Sequence, residues 1–556
     1  MRPSEAFPEH GVDPLTPIAE GLNWLTTTAV HAVLGLLIGL AVARVMRMRH
    51  LHWSWGACGL LVLTLGRTLL GASSPVILAA ALTATVSARR RHRHDLQTGG
   101  DLSAIAASRA KPLDLVRRAV ESVALRDRAR RGERAWFRAD ELVIGREQSG
   151  RFAYLPCGGH SGGAHTLVVG ATGSGKTVTQ TWIAVRNIER GHGAIVVDPK
   201  GDREMRDELA GAAMAAGRQF IEWTPSGPGV YNPYARGSET EIADKVLAGE
   251  RFTEPHYLRQ AQRYLGHAVR ALRSAGREVS LRAIVDQLDP ERLESLARSL
   301  DESDAHPTHV YLDSLTQRQR NDLSGIRDRL AILAESDVGV WLDPQGSADR
   351  ESCPPAVCER PAAAAEPFDL LEAIRARAVV YFDLEADRRP LLSQMLGAAI
   401  VQDLSASVGA LQDRPTPTLV VIDEFSAIAA DQVVRLFGRA RSAGVSLVLG
   451  TQELYDLRPP GREHLLEQVM GNLSGLVAHR QAVLESAELI AGLAGTRGAW
   501  RTSRHSDGRT TSTRTREPVL SADEVMSLPR GWAAVIVLSD GCRASIVQVF
   551  SLKQFR

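Results

Sequence analysis

The chain opens on apolar runs too long for a strand. Residues 25–43 carry no formal charge and are rich in Ala, Val, Leu and Ile, and a helix needs about 20 such residues to cross a hydrocarbon core. The segment before it holds Glu5, Glu9, Asp13 and Glu20, the reverse of the basic leader of a secretory signal. A second apolar region, 53–88, is broken at Ser73-Ser74-Pro75 and contains Arg67. A mid-bilayer arginine costs ~2.5–3.5 kcal/mol on the insertion scale, and the surrounding leucines return ~0.3–0.6 kcal/mol each, so the two nearly cancel. This region crosses once or folds as a short hairpin. Arg89, Arg90, Arg91 and Arg93 follow it, and Arg44, Arg47 and Arg49 follow the first run. Positive charge stays on the cytoplasmic side, which favours three short crossings over two. The pattern therefore predicts a tail (1–24), transmembrane segments (25–88) and a multi-pass protein of the cell membrane with its body in the cytoplasm.

Beyond residue 88 the periodicity changes. Arginines 117, 118, 126, 128, 130, 131, 134 and 138 crowd a partly helical basic connector, 89–150. Lipid headgroups, phosphates or a solvated helix face suit such a run equally. A strand–loop–helix unit follows at 165–190 and a strand at 194–197. Over 236–343 the spacing is helical: Leu258, Ala261, Leu265, Ala268 and Leu272 share one face, as do Leu323, Ile326, Leu330 and Leu333. Ser280 is placed to cap a helix beginning at Leu281. A Pro/Ala-rich linker, 344–367, ends this block, and strands resume at 378–382, 419–422, 446–449 and 533–537. Strands alternating with helices imply a parallel sheet covered on both faces. The reading is an α/β motor in two parts, 151–235 and 368–556, with an all-α domain inserted between them. Residues 496–516, dense in Ser, Thr and Arg, predict a flexible loop or a long hairpin.

Composition adds less. A chain of 556 residues exceeds one hydrophobic core, and 44% hydrophobic with 23% charged residues excludes wholesale disorder. The net charge of +2 excludes a polyanion binder by bulk charge, and 5% aromatics exclude base stacking as the main contact with nucleic acid. Cys58, Cys157, Cys353, Cys358 and Cys542 form no disulfide framework for a chain this size. Cys353 and Cys358 lack the second ligand pair a zinc site needs.

The chemistry is concentrated in three places. Gly170-Ala171-Thr172-Gly173-Ser174-Gly175-Lys176-Thr177 follows the apolar run Leu167-Val168-Val169 and opens a helical segment, the context a phosphate loop requires. Its glycines let backbone N–H groups wrap phosphates at a helix N-terminus. Lys176 is expected on the β/γ-phosphates of ATP, and the Thr177 hydroxyl on Mg2+. Leu419-Val420-Val421-Ile422 is a buried strand ending in Asp423 and Glu424. Asp423 is expected to hold magnesium at the sheet's carboxyl edge, and Glu424 to orient or deprotonate the attacking water. Third, Gln452 ends a strand where it can sense the γ-phosphate, and Arg441 closes the preceding helix. An arginine donated across a subunit boundary accelerates hydrolysis ~10³–10⁵-fold, whereas a lone arginine is otherwise a surface ion-pair partner.

These residues resemble the type IV coupling proteins, the conjugative DNA-transfer ATPases of type IV secretion systems, within the FtsK/HerA group of motors. The likeness also includes Val196-Val197-Asp198-Pro199-Lys200-Gly201-Asp202, Tyr231-Asn232-Pro233, Asn472, Arg480, Pro518 to Glu524 and Leu528-Pro529. It covers about 166 to 556. It implies a RecA-like P-loop motor with an inserted all-α domain, a homo-hexameric ring at the membrane, relaxase or relaxosome and secretion-channel partners, and single-stranded DNA as cargo. Arg497, Arg501, Arg504, Arg509, Arg514 and Arg516 are candidates for strand contact; a surface loop without ligand fits them as well. Two alternatives stand beside this. An FtsK/SpoIIIE-type double-strand translocase usually ends in a winged-helix domain, for which no room follows the last strand. A type VII-like secretion ATPase carries several motors in series, and one phosphate loop is present.

Overall fold

The computed structural model describes residues 16–48, 54–56, 59, 75–97, 123, 136–148, 150–159, 162–250, 252, 254–343, 366–412, 414–428, 430–459, 464–504, 510–539 and 542–555. Most of the basic connector, the Pro/Ala linker and Cys353 with Cys358 lie outside these residues. The chain divides into two compact units: 1–125 with 497–517, and 126–496 with 518–556.

In the first unit, helix α1 (Thr16–Met48) packs along helix α2 (Pro75–Gln97), with Ala43, Met46 and Ala84 buried at their contact. The rest of α1 exposes its apolar side chains, Leu25, Val30 and Leu37 among them. Its stretch Gly21–Met46, 26 residues, is long and apolar enough to cross a membrane. α2 begins at the predicted proline and continues past Ala88 into the arginines, leaving too short an apolar part to span by itself. Strands β11 (Thr496–Arg504) and β12 (Thr510–Pro518) pair as a two-stranded hairpin, one of the two forms expected for this stretch.

The second unit is built on a sheet of twelve strands among the described residues. In chain order these are β1 (Phe137–Arg138), β2 (Glu141–Glu147), β3 (Phe152–Pro156), β4 (His165–Val169), β5 (Gly193–Asp198), β6 (Phe220–Trp223), β7 (Val379–Asp383), β8 (Thr418–Ile422), β9 (Val445–Thr451), β10 (Gly475–Ala478), β13 (Trp532–Val537) and β14 (Arg543–Val549). The parallel part runs β6-β7-β5-β8-β9-β4-β10. Its central strands are buried at every position because helices cover both faces. From β10 the sheet continues antiparallel through β13, β14 and β2, which also pairs with β1 and β3.

This extension corrects two expectations. Residues 136–147, assigned to the basic connector, belong to the sheet, and 533–537 is followed by a further strand. Leu142, Val143 and Ile144 are fully buried, but three apolar residues flanked by Glu and Arg are too short to stand out from a basic background.

Helices α3 (Lys176–Glu189) and α4 (Arg203–Ala215) follow β4 and β5. Among the described residues, six α-helices lie between β6 and residue 343: α5 (Glu239–Leu247), α6 (Pro255–Ser274), α7 (Leu281–Gln287), α8 (Pro290–Arg298), α9 (Glu302–Asp313) and α10 (Gln317–Ala334). Ser280 caps α7 through the Ala283 N–H at 3.2 Å, as predicted. The apolar faces of these helices share one continuous core with the sheet. Helices α11 (Leu370–Arg375), α12 (Pro390–Gly409), α13 (Phe425–Ile428) and α14 (Ala430–Ala440) complete the part that frames the site. α12 also has the length and composition of a membrane span, but it is mostly buried in the core.

Candidate nucleotide site

The strand order determines which side chains meet. β4 carries the phosphate loop, β8 ends in Asp423 and Glu424, and β9 lies between them and ends at Thr451. All three are parallel, so their carboxyl ends open on the same edge, where ligands collect in such sheets. Lys176 Nζ lies 2.6 Å from Glu424 Oε1 and 3.2 Å from Asp423 Oδ1, so segments 248 residues apart in sequence do converge.

The loop backbone has the form phosphates require. Gly173 and Gly175 hold φ of 76° and 121°, values that L side chains resist. The Ser174 hydroxyl is buried and has no hydrogen-bond partner among the described residues. Gly170, Ala171, Thr172, Gly173, Gly175, Lys176 and Thr177 line a cavity of about 470 Å³, together with Lys200, Glu424 and Gln452. That volume lies within the range of small-molecule sites. Asp423 stands behind the wall, bonded by the Gln180 side chain at 3.0 Å. Behind both carboxylate and amide runs β9 with Gly450, where a methyl group would collide with Asp423 and Gln180.

Glu424 Oε1 accepts three donors: Lys176, Lys200 at 2.7 Å and Gln452 at 3.2 Å. Burial pushes the Glu424 carboxyl up, but the two lysines outweigh it and hold it below the usual carboxylate range. Glu424 itself sits at φ 45°, a left-handed conformation uncommon for a side-chain-bearing residue and typical of functional sites.

Lys200 has no site role in the sequence reading, although its motif carries the resemblance. Its signal is position, since it follows β5, the neighbour of β8. Asp198 organises the loop: its carboxylate accepts the backbone N–H of Lys200 at 2.9 Å and of Asp202 at 2.7 Å, and the Tyr381 hydroxyl at 2.7 Å. A lysine so placed gives Glu424 a second ion-pair partner beside Lys176. Lys200→Ala is expected to slow hydrolysis about tenfold with ADP affinity retained, and Lys200→Arg to recover part of the rate. Steady-state ATPase and nucleotide titrations check this.

His479 is a second residue the sequence did not single out. Its ring stands behind Gly170 and Gly175, contacts the Thr179 hydroxyl at 2.8 Å and donates from Nδ1 to the Trp532 carbonyl at 3.0 Å. Burial pushes it down to about 4, so the neutral ring braces the first turn of α3 without adding a charge.

Arg441 is not brought to this site within one chain. It precedes β9 and lies at the amino end of the sheet, its carbonyl bonded by the Gly163 N–H at 3.0 Å and its guanidinium on the Asn472 carbonyl at 3.5 Å. Seven residues of β9, roughly 20 Å of strand, separate it from Gln452.

Among known proteins, residues 417–530 match a family model described as the TraM recognition site of TraD and TraG. The fold is similar to that of the bacterial conjugative coupling protein TrwB deltaN70 in its unbound monoclinic form. There the TM-score is 0.54 with 16% identity over 76% of this chain and 91% of that one. It is also similar to plasmid coupling protein TrwB in complex with ADP and Mg2+: TM-score 0.52, 18% identity, 70% and 85% covered. An uncharacterized protein of Mycoplasma pneumoniae is 28% identical over 104 residues, 18% of this chain and 69% of that protein. The fold is thus the expected RecA-like one, shared with these coupling-protein structures, and the family-model match spans the Asp-Glu strand and the segments that follow it.

Proposed function

We propose that this protein is a membrane-anchored ATPase that drives DNA towards a secretion channel during conjugation. The observation that carries it is the meeting of Lys176 with Asp423 and Glu424 at the carboxyl edge of the sheet, in a chain whose 417–530 region matches the TraD/TraG model. The phosphate-loop amides and Lys176 hold the β- and γ-phosphates of ATP, Lys176 exchanging a carboxylate for a phosphate oxygen as it does so. The unpartnered Ser174 hydroxyl, the left-handed glycines and the hard oxygen donors of Thr177 and Asp423 fit a magnesium triphosphate. Mg2+ bound by Thr177 and Asp423 would neutralise charge on the phosphates. Glu424 orients the attacking water and takes its proton, and Gln452, bonded to Glu424, reports the γ-phosphate to β9.

The finer parts of the reading go further. α1 anchors the chain in the membrane; further crossings by 53–88 rest on sequence alone. The motor is proposed as a homo-hexamer, in which Arg441, remote from its own site, serves that of a neighbour. A relaxosome component docks on 417–530. Single-stranded DNA is the cargo, held without base preference by arginines such as Arg497, Arg514 and Arg516, exposed on the β11–β12 hairpin. Purified full-length protein is expected to hydrolyse ATP, and single-stranded DNA to raise the rate above that with duplex. Stimulation by neither nucleic acid, with capture of an exported protein instead, would sink the DNA reading in favour of a protein-secretion ATPase.

A further inference from the structure

The cavity at the phosphate loop has two chemically different ends. Lys176, Lys200 and the loop amides make one of them cationic and rich in donors. The rest of the lining includes Val178, Met205, Glu204, Glu208, Arg530 and the segment Ser551-Leu552-Lys553. Glu204 is paired with Lys553, while Glu208 adds an oxygen that can accept a hydrogen bond from a ribose hydroxyl or a ring amino group. Val178, 41% exposed, and the half-buried Leu552 offer the apolar surface that a planar base covers.

We propose that Ser551–Lys553, together with Val178 of α3 and Glu208 of α4, forms the nucleoside subsite of this pocket, so that a segment far from every nucleotide motif takes part in binding the base and ribose. The proposal rests on the nucleotide reading above.

The segment is held for that task. β14 is paired to β13 and β2, and the Phe550 N–H continues to the Ile144 carbonyl at 3.0 Å. A single turn, Leu552–Gln554, follows. Beyond it the Phe555 ring packs on Trp136 at 4.9 Å and on Trp182 at 5.5 Å between centroids. Trp182 belongs to α3, the helix that the phosphate loop opens, so the same helix positions both ends of the pocket. On the other side Lys553 Nζ reaches Glu204 Oε1 at 2.7 Å. Both residues line the cavity, and their ion pair links α4 to the segment across its rim. Being exposed, that pair adds little energy; its effect is to keep the two walls at one separation.

The test uses the full chain with ADP and inorganic tripolyphosphate as probes. The double variant Leu552→Ala/Glu208→Ala is expected to bind ADP about tenfold more weakly, while tripolyphosphate inhibits ATP hydrolysis at its original concentration. Unchanged ADP affinity would overturn the proposal. So would an equal loss for ADP and tripolyphosphate, which would mean that the changes disturb the whole pocket. A parent protein that binds neither probe would bring down the nucleotide reading itself, and the subsite with it.

Discussion

Glu424→Gln is expected to abolish turnover, by at least ~10²-fold, while ATP binding persists. The replacement keeps shape and one acceptor oxygen, so the Gln452 amide 3.2 Å away retains a partner. What is lost is a negative charge shared by Lys176 and Lys200, and with it the group that takes a proton from water. With Glu424 neutral, Lys176 is paired only with Asp423 at 3.2 Å, so its transfer to a phosphate oxygen becomes easier. Nucleotide affinity should therefore hold or rise as the rate collapses. Single-turnover hydrolysis beside an ADP titration separates the two effects. A variant hydrolysing at the parent rate would remove Glu424 from its role.

The second large effect is on folding. Lys245 on α5 is almost fully buried, its side chain 1% exposed, and its ammonium lies 2.6 Å from Asp403 of α12. The carbonyls of Pro233 and Arg236 accept its remaining donors at 3.0 and 2.6 Å, and the Tyr231 hydroxyl donates to the other oxygen of Asp403 at 2.6 Å. Thus Tyr231-Asn232-Pro233, singled out in sequence as part of a family likeness, is the joint between the inserted helices and the motor. Asp403→Ala leaves an uncompensated buried charge and should cost ~3–5 kcal/mol. A lower denaturant midpoint with an unchanged slope would report it. Adding Lys245→Met is expected to restore much of the loss, since replacing a whole buried pair by apolar groups is often neutral. If Asp403→Ala unfolds like the parent, the network does not hold the joint.

The Proposed function and the nucleoside subsite depend on different parts of the molecule. The first needs only the convergence of β4, β8 and β9; the second needs the antiparallel extension, which carries Phe550 and Phe555 onto Trp136 and Trp182.

By itself, the sequence determined the phosphate loop, the Asp423-Glu424 strand end, the inserted helices and the long apolar helix near the amino end. Each is a local property: backbone freedom at adjacent glycines, a carboxylate directly following a buried run, apolar residues repeating along one helix face. The order of the strands is not local, because pairing joins segments hundreds of residues apart and no window of sequence contains it. Only the tertiary structure therefore put β9 between β4 and β8, bringing Gln452 to Glu424, and β5 beside β8, bringing Lys200 there too. The same pairing placed Arg441 at the far end of the sheet, drew residues 136–147 out of the basic connector, and set Leu552 over a pocket whose loop begins at Gly170.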